Sequence, residues 1–168
     1  MALKTMKLSC RLLCYCALLL APASASASEA ALAFKDFPSA QVDVAKPAPP
    51  KVGAGKARRF RTALRDEAPK GPNFAGHFTF VSWGCGVACQ EFAIVDAITG
   101  DVHFPSELRL NAYDAITDET EPFQFQLDSR LFVLAGAPND EEATGVFYYE
   151  WTGTDFKLLK ATPKTWPR

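Results

Sequence analysis

Residues 71–100 read GPNFAGHFTFVSWGCGVACQEFAIVDAITG. This stretch holds two runs of β-forming residues, at 74–83 and 91–97, on either side of two cysteines and their neighbouring glycines. Both runs carry apolar residues at odd and at even positions, which indicates strands buried on both faces. The stretch therefore predicts a central β-hairpin, and it contains the residues most suited to any chemistry of this chain.

Further strand and turn signals follow the hairpin. Residues 96–101 (DAITGD) are typical of a tight turn into a short strand at 102–104. Two more strand pairs are predicted at 123–127 with 131–135, and at 146–151 with 156–161. Consecutive short turns favour an antiparallel meander. We predict a mainly β fold, curved into a half-barrel or small sandwich, with one short N-terminal helix packed on it.

The N-terminal residues 1–27 have the pattern of a secretory signal peptide. The positive charges at its start are Lys4, Lys7 and Arg11. An apolar run at 12–21 follows, and residues 23–27 (ASASA) are small enough for signal peptidase. A spanning helix needs about 20 apolar residues, so we predict cleavage near Ala27 and a periplasmic or secreted protein without a membrane span.

The chain after residue 27 divides into two parts. Residues 28–56 include a stretch rich in proline and glycine, which predicts an extended segment or linker. Residues 57–68 (ARRFRTALRDEA) place apolar side chains at helical spacing before Pro69. We predict a single globular β-rich domain over 57–168 that begins with this helix.

The charge of the chain is divided unevenly. Residues 28–71 hold nine Lys/Arg and five Asp/Glu, a net charge of +4, whereas residues 72–168 hold six Lys/Arg and fourteen Asp/Glu, a net charge of −8. An acidic surface repels phosphate backbones, which argues against nucleic acid as a partner of the folded part. The basic residues 56–61 (KARRFR) are typical of the solvated face of a helix.

Cys85 and Cys89 are the only cysteines after residue 27. In an oxidising compartment, such a pair favours a disulfide bond. An extended strand would hold their Cα atoms about 13 Å apart, beyond the roughly 4.4–6.8 Å that a disulfide tolerates. The chain must therefore turn between them, and Gly84 and Gly86 permit such a turn.

Two other uses of these cysteines remain open. A metal site would add His77 and His103, although C-x3-C is looser than the C-x2-C spacing of zinc sites. A thiol enzyme would use Cys85 or Cys89 as the nucleophile, with His77 as base and Asp96 as the orienting group, although no nucleophile signature surrounds them. We expect no metal and no cofactor.

Clustered carboxylates occur in two predicted loops. They are Asp118, Glu119 and Glu121 in one, and Asp140, Glu141 and Glu142 in the other. Their spacing fits neither a calcium loop nor a glycosidase pair, so solvated loop charges are predicted. We place a contact surface instead at polar and aromatic side chains of the hairpin and of the later aromatic run: His77, Trp83, Gln90, Tyr148, Tyr149 and Trp151.

Several short strings give the chain a family resemblance. They are NFAGH (73–77), WGCG (83–86) with Cys89 and Gln90, DAITG (96–100), LDSRL (127–131) and YYEWTG (148–153). In these strings the chain resembles a family of small exported bacterial proteins to which no activity is assigned. The resemblance covers residues 71–159. It implies export, one domain and a loop with two cysteines, and it carries over no catalytic residue.

Two functional hypotheses follow. In the first, the protein is a non-catalytic periplasmic binding module, inhibitor-like or immunity-like, whose acidic loops and aromatic face engage a basic envelope enzyme. In the second, it is a thiol- or metal-dependent enzyme with its site around Cys85 and His77.

The signal-peptide pattern makes a prediction about the mature protein. Its N-terminus should be Ser28, or Ser26 if the earlier Ala-Ser-Ala motif is cleaved. Intact mass spectrometry of the secreted form measures this directly. A mass that retains Cys10, Cys14 and Cys16, or one that includes a lipid, would contradict the prediction.

Overall fold

The hairpin predicted from residues 71–100 consists of β1, Phe78–Gly86, and β2, Cys89–Asp96. The two strands pair antiparallel from Phe78 opposite Asp96 to Gly86 opposite Cys89, with a register shift between Gly84 and Gly86. The structure is a computed structural model that describes residues 32–112 and 121–164. Within these ranges, the fold is mainly β, as predicted.

Six further strands complete an open antiparallel sheet. They are β3, Val102–His103, β4, Leu110–Ala112, β5, Phe123–Phe125, β6, Leu131–Pro138, β7, Gly145–Trp151, and β8, Phe156–Pro163. The main path through the sheet is β1-β2-β4-β6-β7-β8, with β3 paired to β2 and β5 paired to β6. The meander prediction is confirmed, and the described sheet is not closed.

An aromatic core lies between two groups of strands. On one side, β1 and β2 contribute Phe78, Phe80, Phe92 and Ile94. On the other side, β6, β7 and β8 contribute Phe132, Leu134, Phe147, Tyr149, Trp151 and Phe156. The ring of Phe132 joins the two groups, since it lies 5.4 Å from Phe80 and 4.9 Å from Phe156, measured between ring centroids. Burial of these large rings stabilises the fold, since each removes a large apolar area from water.

The short strand β4 connects the two groups of strands. Its partner on one side is β2, with Ala112 opposite Cys89, and its partner on the other side is β6, with Ala112 opposite Ala137. The side chain of Asn111 is fully buried at this junction, and its Nδ2 donates a hydrogen bond of 2.8 Å to the Ala135 carbonyl. The sequence did not predict β4, because three residues show no periodicity.

The predicted helix over residues 57–68 is present in two pieces. A short helix α1, Gly55–Arg59, is followed by α2, Arg61–Glu67, and the backbone at Phe60 departs from helical geometry between them. Leu64 of α2 and the following Ala68 are fully buried against the face of the hairpin that points away from the aromatic core. The contacting hairpin residues are Val81, Ala93 and Val95.

The proline-rich segment before α1 lies along the β domain. Its backbone donates hydrogen bonds at four places: from Ser39 to Asp128, from Val42 to Gly76, from Ala48 to Ala97, and from Lys51 to Gly100. At Gly100 the approach is so close that an added Cβ would lie 2.2 Å from the Pro49 carbonyl oxygen. The segment is thus extended and docked from residue 38 onward.

The predicted signal peptide, residues 1–27, lies outside the described residues. The described residues belong to one compact unit, Ala31–Arg168. Among them, no helix combines the length and the apolar composition that crossing a membrane requires.

The β4 junction makes a testable prediction at Gly136. This glycine has φ +143°, and an added Cβ would lie 2.2 Å from Asn111 Oδ1 and 2.6 Å from the Ala112 carbonyl oxygen. We expect Gly136→Ala to lower the free energy of unfolding by about 2 kcal/mol or more. Chemical denaturation measures the change.

A matched control is Gly84→Ala, because a Cβ at Gly84 would meet no atom within 4 Å. Its effect on the free energy of unfolding should stay below about 1 kcal/mol. Equal losses in the two variants would show that the junction has no special role.

Candidate functional site

The tip of the β1–β2 hairpin is a loop closed by the Cys85–Cys89 disulfide. The Cα atoms of the two cysteines lie 5.2 Å apart, within the range for such a bond. The chain turns as predicted, with Gly86 at φ +153° and Ala88 at φ +49°. The disulfide predicted from the sequence is therefore confirmed by the distance between the two cysteines.

Val87 stands at the apex of this loop and is 99% exposed. It is the most exposed of the large hydrophobic side chains in the described part of the chain. A Cβ added at Gly84 or Gly86 would meet no atom within 4 Å, so the tip is narrow and open on its sides. The hairpin thus presents one apolar side chain on a covalently closed loop.

His77 lies at the opposite end of β1 from the cysteines. Its Nε2 is 3.9 Å from Asp96 Oδ2, and its ring packs on Phe78 with centroids 4.2 Å apart. Eight residues of extended chain separate it from Cys85, about 26 Å at 3.3 Å per residue. The thiol and metal hypotheses both require His77 to lie beside a cysteine. The structure instead keeps His77 apart from both cysteines.

The second histidine, His103, also lies away from the hairpin tip. It is on β3 opposite Ile94, and its ring contacts Trp151 at 5.9 Å and Phe78 at 6.2 Å between centroids. In residues 32–112 and 121–164, no three His, Cys, Asp or Glu side chains are grouped as metal ligands would be.

Trp83 and Gln90 lie in the half of the hairpin nearest the tip. The Trp83 ring stacks on Phe60 with a centroid distance of 4.4 Å, and its Nε1 donates a hydrogen bond of 3.2 Å to Glu91 Oε2. Gln90 is opposite Gly84 on one side and Asn111 on the other, and it is half-buried. Trp83 is half-buried as well.

The expected contact surface needs correction at Tyr149 and Trp151. Alternate residues of β7 point into the core, so Tyr149 is 3% exposed and Trp151 is 1% exposed. Their rings pack against Phe156, which makes them core residues rather than contact residues. Tyr148 lies on the other face and is half-buried, so its place in a contact surface stays a prediction.

The turn after β6 carries the acidic residues Asp140, Glu141 and Glu142, all exposed. Burial raises the pKa of the Tyr149 hydroxyl, and the charges of Glu107 and Glu141 raise it further. Ala112 of β4 pairs with Cys89 of β2 and with Ala137 of β6. β2, which begins at the hairpin tip, and β6, which ends at this turn, therefore lie about 10 Å apart. Asp118 and Glu119 lie outside the described residues.

Comparison with protein-family models, with curated proteins and with solved structures gave no match. The candidate site at the hairpin tip therefore rests on the geometry of this chain alone.

Val87 is the residue that sequence reasoning missed. Its signal was a single branched apolar residue between Gly86 and Ala88, within a loop closed by two cysteines.

The disulfide makes a prediction about stability. Replacing both cysteines, Cys85→Ser with Cys89→Ser, should lower the free energy of unfolding by about 1–3 kcal/mol, because the bond closes only a five-residue loop. Urea denaturation measures the loss.

Wild-type protein under a thiol reductant is the matched control and should lose the same amount. Complete unfolding of the double variant would contradict this local role. So would a stoichiometric metal that the substitution removes.

Proposed function

We propose that this protein is a non-catalytic, exported protein-binding module that acts in the periplasm, inhibitor-like or immunity-like, on a basic envelope enzyme. The observation that carries the proposal is the hairpin tip, where Val87 is 99% exposed on a loop closed by the Cys85–Cys89 disulfide. The tip is the part of this protein that enters a cleft of the partner.

The closed loop suits binding for an entropic reason. Association has to offset the ordering of loops and side chains at the interface. The core on both faces has already ordered the strands that carry the tip, and the Cys85–Cys89 disulfide closes the tip itself. Transfer of Val87 from water to an apolar subsite then contributes to binding with little further loss of entropy.

Charge supports a basic partner. Residues 72–168 carry six Lys/Arg and fourteen Asp/Glu, a net charge of −8. The exposed Asp140, Glu141 and Glu142 follow β6. β6 pairs with β4, and β4 pairs with β2, the strand that begins at the hairpin tip. An acidic surface steers a basic protein toward it and raises the association rate at low salt.

The location proposed for this function is the cell envelope outside the cytoplasm. Two observations support it: the signal-peptide pattern of residues 1–27, and a disulfide, a bond that is stable mainly in oxidising compartments.

The proposal predicts that the hairpin tip controls capture of a partner. With the tagged mature protein as bait in envelope extract at low salt, Val87→Asp should weaken capture at least about tenfold, because a desolvated, unpaired carboxylate costs more than about 1.4 kcal/mol. Ile98→Asp is the matched control, since Ile98 is 51% exposed at the opposite end of β2 and should behave as wild type.

Salt and enzyme assays complete this test. Replacing Asp140, Glu141 and Glu142 by their amides should weaken capture at low salt and reduce its salt dependence. Equal capture by the Val87→Asp variant and wild type would contradict the proposal. A hydrolytic activity that is lost in a His77→Ala or Cys85→Ser variant would favour the enzyme hypothesis instead.

A further inference from the structure

The ammonium group of Lys56, at the start of α1, lies inside a cluster of aromatic rings. Its Nζ is 5.0 Å from the ring centroid of Phe104 and 5.9 Å from that of Phe60. It is also 3.8 Å from Glu91 Oε1. Two rings and a carboxylate therefore lie around the Lys56 ammonium, and the Arg59 guanidinium also lies over Phe60, 5.3 Å from its ring centroid.

Trp83 fixes the geometry of this cluster. Its ring stacks on Phe60 at 4.4 Å and meets Phe104 edge-on at 6.3 Å, measured between centroids. Its Nε1 hydrogen bond to Glu91 holds the carboxylate, whose side chain is only 21% exposed. The break between α1 and α2 falls at Phe60, which leaves that ring against Trp83.

This arrangement has the chemistry of a site for an organic cation. Aromatic faces attract alkylammonium groups, which lose less hydration than metal ions do, and a nearby carboxylate adds an opposite charge. We propose that Phe60, Trp83, Phe104 and Glu91 form a binding site for an alkylammonium group such as a lysine side chain, and that Lys56 occupies it as a tethered ligand.

The contact that Lys56 makes is weak enough to be exchanged. Its ammonium approaches Glu91 at 3.8 Å, whereas Lys51 and Lys70 hydrogen-bond their carboxylates at 2.8 Å and 2.7 Å. The Lys56 side chain is 36% exposed, and α1 is only five residues long. A tethered group competes at an effective concentration in the millimolar range, so an external amine at millimolar concentration displaces it.

The site does not involve Val87, and its test needs no protein partner. The probe is tetramethylammonium chloride, titrated into the folded protein while the indole Nε1–H resonance of Trp83 is followed by NMR. Trp151, 1% exposed in the core, supplies an internal reference resonance. Sodium chloride at equal concentration corrects for ionic strength.

We expect Lys56→Ala to bind the probe at least about fivefold more tightly than wild type, because the tethered competitor is gone. Lys51→Ala removes the same charge from a lysine paired with Asp101 and is the matched control, with wild-type affinity expected. In the Lys56→Ala background, Glu91→Gln should weaken binding severalfold, since the amide oxygen still accepts from Trp83 but carries no charge.

Equal affinity of wild type and Lys56→Ala would overturn the proposal. A Trp83 shift that sodium chloride reproduces would overturn it as well. A thermal unfolding curve of Lys56→Ala that matches the wild-type curve shows that the variant is folded. If Lys56→Ala is unfolded, Lys56→Gln takes its place, and the same increase in affinity is expected.

Discussion

The junction of β4 with β6, where Asn111 lies against Gly136, is the constraint that connects the two groups of strands. β4 joins the two groups of strands through only two residue pairs with β6, so the junction has few backbone hydrogen bonds of its own. The buried Asn111 amide adds one to the Ala135 carbonyl, while its Oδ1 has no hydrogen-bond partner within the described residues. The approach is possible because position 136 has no side chain.

From this junction, the position of the hairpin follows. The aromatic core presses on one face of β1 and β2, and Leu64 and Ala68 press on the other. A hairpin packed on both faces is held in place up to Trp83, and beyond that residue the disulfide holds the tip. The exposed Val87 is therefore presented by a well-supported strand pair instead of a mobile loop. This is the physical basis on which a protein-binding role is proposed.

The N-terminal part of the chain stabilises the outer side of the same hairpin. The segment from residue 38 is hydrogen-bonded through its backbone, which proline-rich sequence permits at only a few positions. The helices that follow place Phe60 and Lys56 beside Trp83 and Glu91. In this partly buried cluster, a lysine of the basic residues 28–71 contacts a glutamate of the acidic residues 72–168.

The sequence by itself determined the β character of the fold, the central hairpin, the later strand pairs and the turn between Cys85 and Cys89, because alternation, glycine placement and cysteine spacing are local signals. It also predicted the helix over 57–68, apart from its break at Phe60. Only the tertiary structure decided the rest. β4 is three residues long and depends on partners that are distant in sequence. Tyr149 and Trp151 have the residue types of a contact surface, and only the structure shows that their face of β7 is buried. His77 and Cys85 are eight residues apart in sequence, yet a straight strand keeps them at opposite ends of the hairpin.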